Sequence, residues 1–259
     1  MRFITIATWN LERPRPASWK KLPAIRSQMA SVAADLWVLT ESRTTISPED
    51  RFQAVHSPPD RFRRPDHDER WCSLWSRWPL TPIPTRDTPW SATALVRSPL
   101  GDLIIYGTVL PYHAEPPRAS GFGVQQWGEF FREVHLQAED WGHLRRDFPG
   151  IPLVVAGDLN QSLDGARWYG TKSTRQALLD ALRGADLRCV TAEDMVACGK
   201  LRRHHLVDHV CVTGDLDRES LVCWEPVAAD RTRMSDHPGV LVRLARSGSQ
   251  KSARTESTA

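Results

Sequence analysis

The sequence predicts an α/β protein built as one domain, and three observations carry that reading. The chain opens strand, helix, strand. Polar side chains wait at the ends of the apolar strands, where α/β proteins place their ligands. A fully apolar run at residues 151–156 stops on Gly157-Asp158-Leu159-Asn160. At 259 residues, an α/β architecture can use the whole length in a single domain.

Taken in order, Phe3, Ile4, Ile6 and Ala7 make a first strand that ends in the polar cluster 10–13. A helix follows, with Ser18 as its cap and Leu22, Ile25, Met29 and Val32 at helical spacing. Residues 36–40 form a short strand closing on Glu41, and 43–70 read as a long polar loop around one strand at 52–55. Strands are expected at 71–76 and 92–97, then a hairpin turn at 98–102 leads into a strand at 103–110. After a loop at 111–123, an amphipathic helix from about 124 to 146 carries Trp127, Phe130, Phe131, Val134 and Trp141. Ser173 caps a further helix, with Leu178, Leu179 and Leu182 facing inward and Gly184 stopping it. The last strands are placed at 187–191, 206–213, about 220–225 and 239–244. Residues 1–246 are expected to be the domain, and 247–259, small, polar and aperiodic, a disordered tail.

Composition narrows the class without choosing a function. Net charge is +3, and residues 246–259 supply +2 of it, so the body is too near neutral to announce a nucleic-acid binder. The five cysteines form no C-x-x-C pair and read as buried, reduced thiols rather than a disulfide frame or zinc site. The N-terminus reaches charged residues too soon for a signal peptide, and no run approaches membrane-spanning length, so a cytoplasmic protein is expected. Eleven tryptophans can be buried bulk or a ligand-binding surface, and the sequence leaves both open.

Five segments set Asn, Asp, Glu and His at strand ends: Thr8-Trp9-Asn10-Leu11-Glu12, Leu39-Thr40-Glu41, Gly157-Asp158-Leu159-Asn160, Val207-Asp208-His209 and Ser235-Asp236-His237-Pro238. Any one alone is ordinary loop polarity; the set, in this order, is specific. The chain resembles the endonuclease/exonuclease/phosphatase superfamily (deoxyribonuclease I-like, exonuclease III-like) from about residue 4 to 244. Its hallmarks are matched by Trp9-Asn10, Thr40-Glu41, Gly157-Asp158-Leu159-Asn160, Val207-Asp208 and Ser235-Asp236-His237-Pro238, with Ser76-Arg77-Trp78-Pro79-Leu80 as a softer match. The resemblance implies a four-layer sandwich: two mixed β-sheets face to face, flanked by helices.

It also implies a hydrolase that cuts a phosphate ester by in-line attack of an activated water, with Mg²⁺ or Mn²⁺ bound. A hard cation wants oxygen ligands and needs only one or two carboxylates. Glu41 is the first expected ligand, with Asn10 and Asp236 beside it, and Glu12 on the same side if the first strand continues. Asp158 would activate the water, Asn160 would hold a phosphate oxygen, and His237 would offset charge on the non-bridging oxygens. Asp208 would orient His237. Relatives that cut DNA present a Tyr or His after the 103–110 strand; here that position falls on Val109, and His113 (or Tyr112) takes the role if the alignment shifts.

Two other features stand apart. His204 and His205 beside Arg202 and Arg203 have the look of a metal or phosphate site, yet adjacent histidines diverge on a strand, so one is expected to be merely exposed. Arg61, Arg63 and Arg64 around Phe62 could grip a polyanion or be a solvated loop. Nucleic acid is the expected substrate, with a small phosphorylated metabolite, nucleotide or lipid headgroup as the alternative and no membrane partner. A catalytically inactive scaffold would have lost at least one of Glu41, Asp158, Asn160 and His237; none is lost.

Overall fold

The computed structural model describes residues 2–60, 67–86, 88–117 and 125–248. The basic cluster Arg61, Arg63 and Arg64 with Phe62, and the tail from residue 249, lie outside the described residues.

In chain order the elements are β1 (Ile4–Asn10), α1 (Lys21–Val32), β2 (Leu36–Arg43), β3 (Gln53–His56), β4 (Glu69–Ser76), β5 (Leu80–Pro82), β6 (Ser91–Ser98), β7 (Gly101–Val109), α2 (Gly128–Asp147), β8 (Leu153–Asp158), α3 (Lys172–Gly184), β9 (Leu187–Cys189), β10 (Asp208–Thr213), β11 (Leu216–Trp224) and β12 (Gly239–Arg246). They form two six-stranded mixed sheets, in the orders β11-β12-β1-β2-β4-β3 and β5-β6-β7-β8-β10-β9.

The period-2 alternation of strand side chains builds the layers. On β1, Ile4 and Ile6 face the second sheet, where they join Val154, Ala156, Val210 and Val212 in the central core. Ala7 and Trp9 point the other way and pack under α1 through Ile25 and Met29. Val155 and Cys211 line the outer face of the second sheet beneath Phe130, Val134 and Trp141 of α2 and Leu178 and Leu182 of α3. The layers are therefore helix, sheet, sheet, helix, as expected.

Local details differ from the sequence reading, each for a physical reason. Ser18 caps nothing with its side chain: α1 starts from Lys20, and Ser18 offers only its carbonyl to Leu22 N–H at 3.2 Å. Thr171, not Ser173, caps α3, because Thr171 and Thr174 exchange side-chain-to-backbone bonds at 3.1 and 2.9 Å. Leu179 is exposed, one step round the helix from Leu178 and Leu182. β5 has no counterpart in the sequence reading, because three residues ending in proline give no periodic signal. Of the cysteines, Cys72 and Cys211 are buried, Cys189 and Cys223 are half-buried, and Cys198 is exposed. Trp19 and Trp168 are exposed, while Trp9, Trp37, Trp90 and Trp141 are fully buried.

Candidate active site

Both sheets deliver their polar strand ends to one edge of the sandwich. β1 and β2 run parallel with Asn10 beside Thr40, so Asn10 and Glu41 emerge together. In the other sheet β7 runs parallel to β8, with Val109 beside Asp158, and β10 runs antiparallel, with Asp208 opposite Asp158. The segment entering β12 carries Asp236 and His237 to the same edge. Ser235 fastens it there, its hydroxyl donating to the Asn10 carbonyl at 2.6 Å, and Trp9 Nε1 donates to the His237 carbonyl at 2.9 Å.

Backbone conformation aims several of these groups. Glu41 sits at φ +46° and is skipped in the β2–β4 register, where Thr40 pairs with Cys72 and Ser42 with Arg70. That kink turns its carboxylate out of strand alternation and into the cleft. Gly157 holds φ +138°, and a Cβ there would sit 1.9 Å from the Thr108 carbonyl oxygen, so only glycine lets β8 lie this close to β7. Asn160 follows at φ +48°, a region asparagine tolerates.

The side chains converge on a cavity of about 220 Å³ lined by Glu41, Asp158, Asn160, Asp236, His237 and aromatic neighbours. Asn10 Nδ2 spans two carboxylates, at 3.0 Å from Asp158 Oδ2 and 3.3 Å from Glu41 Oε1. Asn160 Nδ2 donates to the Leu110 carbonyl at 2.8 Å and to Asp158 Oδ2 at 3.2 Å. His237 Nδ1 meets Asp208 Oδ2 at 2.6 Å, and its Nε2 lies 3.8 Å from Asp236 Oδ1.

Electrostatics follow from burial and crowding. Asp158 is pushed up to about 7, by burial first and then by the charges of Asp208 and Glu41, against His237 and the Asn10 bond. Burial opposes charge on His237, yet the Asp208 and Asp158 carboxylates outweigh it and raise the ring to about 10. The imidazole is therefore cationic at neutral pH.

Asn10 and Asp208 stand behind the cavity lining, bonded to Asp158 and His237, and two further expected positions, Glu12 and His113, lie apart from it. Glu12 sits at φ +52°, because β1 stops at Asn10, and the alternation that would have aimed it inward does not apply. Its carboxylate is held by Lys21 at 2.8 Å and Arg233 at 2.6 Å. His113 is exposed, with Nδ1 3.3 Å from the Tyr169 hydroxyl. Tyr112 and Tyr169 line the cavity instead, with Trp71 and Trp90. Burial and the Asp158 charge push the Tyr169 phenol up to about 12, so it keeps its proton. His204 and His205 are both half-buried against carboxylates, correcting the expectation that one is merely exposed: His204 Nδ1 meets Glu225 at 2.7 Å and His205 Nδ1 meets Asp164 at 2.9 Å.

With this geometry in place, similarity to known proteins gains meaning. The Endonuclease/Exonuclease/phosphatase family model matches residues 7–237. The chain belongs to that family. It is accordingly a hydrolase of phosphate esters. No curated protein sequence matches it significantly. Among solved structures, the AP endonuclease LMAP from Leishmania major matches with TM-score 0.68 and 14% identity, over 94% of this chain and 88% of that one. The human Nocturnin catalytic domain with bound sulfate anion matches with TM-score 0.63 and 15% identity, over 94% of each chain. The endonuclease domain of TRAS1, a telomere-specific non-LTR retrotransposon, matches with TM-score 0.60 and 15% identity, over 94% of this chain and 98% of that one. At these identities the solved structures establish the shared fold, and the family assignment rests on the model match.

Proposed function

We propose that this family member is a divalent-metal-dependent phosphodiesterase that hydrolyses nucleic acid, with Asp158 and His237 as its central catalytic pair. The observation that carries the reading is the cavity itself. Asp158, Glu41, Asp236 and His237 share one 220 Å³ space, and Asp158 is lifted to about 7 by burial first and then by the charges of Asp208 and Glu41. Such crowding of carboxylates suits a hard cation, which would relieve the repulsion; Glu41 and Asp236 would hold it, with Asn10 alongside. When bound, Mg²⁺ or Mn²⁺ supplies electrostatic stabilisation of charge on the phosphate.

The chain's own groups account for the rest. Asp158, basic near neutral pH and fixed by Asn10 and by the Asn160 N–H at 2.9 Å, takes the proton from the attacking water. Asn160 can transfer the longer of its two amide bonds, the 3.2 Å one to Asp158, to a phosphate oxygen without adding negative charge. His237, kept cationic by Asp208, donates from Nε2 to a non-bridging oxygen. Tyr169, protonated and on the cavity wall, is a second neutral donor. Tyr112, part of the wall and 38% exposed, offers a face for a base to stack on.

Two structural neighbours, named as an AP endonuclease and a retrotransposon endonuclease domain, favour nucleic acid over a small ester. The test is to incubate the purified chain and Mg²⁺ or Mn²⁺ with supercoiled plasmid, single-stranded DNA, RNA and a chromogenic diester. Degradation of a polynucleotide, abolished by chelator, supports the proposal. Hydrolysis of the small diester alone would move the substrate to a metabolite and overturn the nucleic-acid assignment.

A further inference from the structure

Cys189 ends β9, the edge strand of its sheet, and Cys211 lies directly opposite on β10. In the next pair along, the Val190 N–H donates to the Val210 carbonyl at 2.9 Å. Ladder bonds alternate along an antiparallel pair, so Cys189 and Cys211 fall between them. There facing residues come closest, with Cα atoms about 4.5 Å apart. That separation is inside the Cα range of about 4.4–6.8 Å that a disulfide spans. Both side chains point to the outer face, which sets the two thiols side by side across the register.

The two thiols are not equivalent. Cys211 is buried, whereas Cys189 is half-buried and lines a cavity of about 510 Å³ with Arg188, Glu193 and Arg218. The facing Cys211 thiol, helped by His209 and opposed by burial, holds the Cys189 thiol well below the usual range, while Cys211 is pushed up. Cys189 Sγ also lies 3.4 Å from Thr191 Oγ1, which is 3.0 Å from His209 Nδ1. Cys189 is thus the more exposed thiol and the better nucleophile, with Cys211 the partner facing it.

We propose that Cys189 and Cys211 form a redox-active dithiol, which a small hydroperoxide converts into a cross-strand disulfide. The Cys189 sulfur attacks the peroxide; an S–O bond forms, the O–O bond breaks, and the departing oxygen leaves as water after taking up a proton. Cys211 then attacks the Cys189 sulfenic acid, forming the S–S bond and releasing hydroxide, which leaves as water with the Cys211 proton. Two thiols lose two electrons in all, and the peroxide gains them. The competing pair is exposed Cys198 with Cys223, whose thiol burial pushes up to about 12, making it a poor nucleophile.

The full chain is treated with a few equivalents of hydrogen peroxide, alkylated, digested without reduction and mapped by mass spectrometry. The dominant cross-linked peptide joins Cys189 to Cys211, disappears on reduction, persists in Cys198→Ser and is absent from Cys189→Ser. Circular dichroism checks that each variant folds. Cross-linking of Cys198 to Cys223, or oxidation at Cys198 while Cys189 and Cys211 remain alkylated, would overturn the assignment.

Discussion

His237 Nδ1 stands 2.6 Å from Asp208 Oδ2, and no partner reaches Asp208 Oδ1 among the described residues. The carboxylate is fully buried, so its charge is spent mainly on the ring it touches. Asp208→Asn keeps the shape but removes that charge. We expect kcat/KM to fall about a hundredfold or more, and the alkaline limb of the pH–rate profile to move to lower pH as the ring loses its proton sooner. A rate loss with an unmoved alkaline limb would mean that Asp208 only packs.

Asp158→Asn removes the proposed base while the amide can still accept from Asn160 N–H. Turnover should drop by about 10²–10⁴, with Tm within a few degrees of wild type. Stopped-time product assays at saturating substrate and a thermal melt check both halves.

Stability of the metal-free chain should depend on pH through the same pair. Folding raises Asp158 from 3.8 to about 7 and His237 from 6.5 to about 10. A group with a raised folded pKa contributes stability that is complete below its unfolded pKa and lost as pH rises through the folded one. With chelator present, Tm should therefore fall as pH climbs from about 4 to 7 through Asp158, and again from 6.5 to about 10 through His237. Asp158→Asn should remove the first window and narrow the second from above, because the Asp158 charge helps to hold the His237 ring high.

Gly157→Ala tests how the site is assembled. Its Cβ would meet the Thr108 carbonyl oxygen at 1.9 Å, with φ at +138°, and the atoms it meets are all Thr108 backbone, which cannot rotate away. The expected loss is on the order of 3 kcal/mol or more, read by denaturant unfolding. Gly184, with nothing near its would-be Cβ, is the matched control.

Tyr112 bears on substrate class. If a base stacks on it, Tyr112→Ala should weaken single-stranded DNA binding by about 1–3 kcal/mol, or roughly 5- to 150-fold, and Tyr112→Phe should not. Equal binding by Tyr112→Ala would leave the nucleic-acid reading without this contact.

Much of the site was legible in the sequence because strand ends are local features. Asn10, Glu41, Asp158 and Asn160 each follow or end an apolar run that two parallel strand pairs carry to one edge, and Asp236 and His237 stand just before the apolar run of β12, which brings them to the same edge. Glu12 was harder: the expectation rested on strand alternation, and the chain turns left-handed there. For Trp71 and Trp90 the sequence leaves buried bulk and ligand surface both open; only tertiary packing, with ring centroids 4.4 Å apart, puts them on the cavity wall. Tyr169 comes from a loop of no period, and its approach to Asp158 depends on how residues 161–172 fold back. The pairing of Cys189 with Cys211 is a register property, which sequence spacing does not encode.

The most direct single measurement is Mg²⁺-dependent hydrolysis of a chromogenic phosphodiester by wild type and His237→Ala, side by side with chelator controls. The account predicts turnover by wild type that chelator abolishes, and at least a hundredfold less from the folded variant. Equal rates for the two proteins, or wild-type turnover unchanged by chelator, would contradict it.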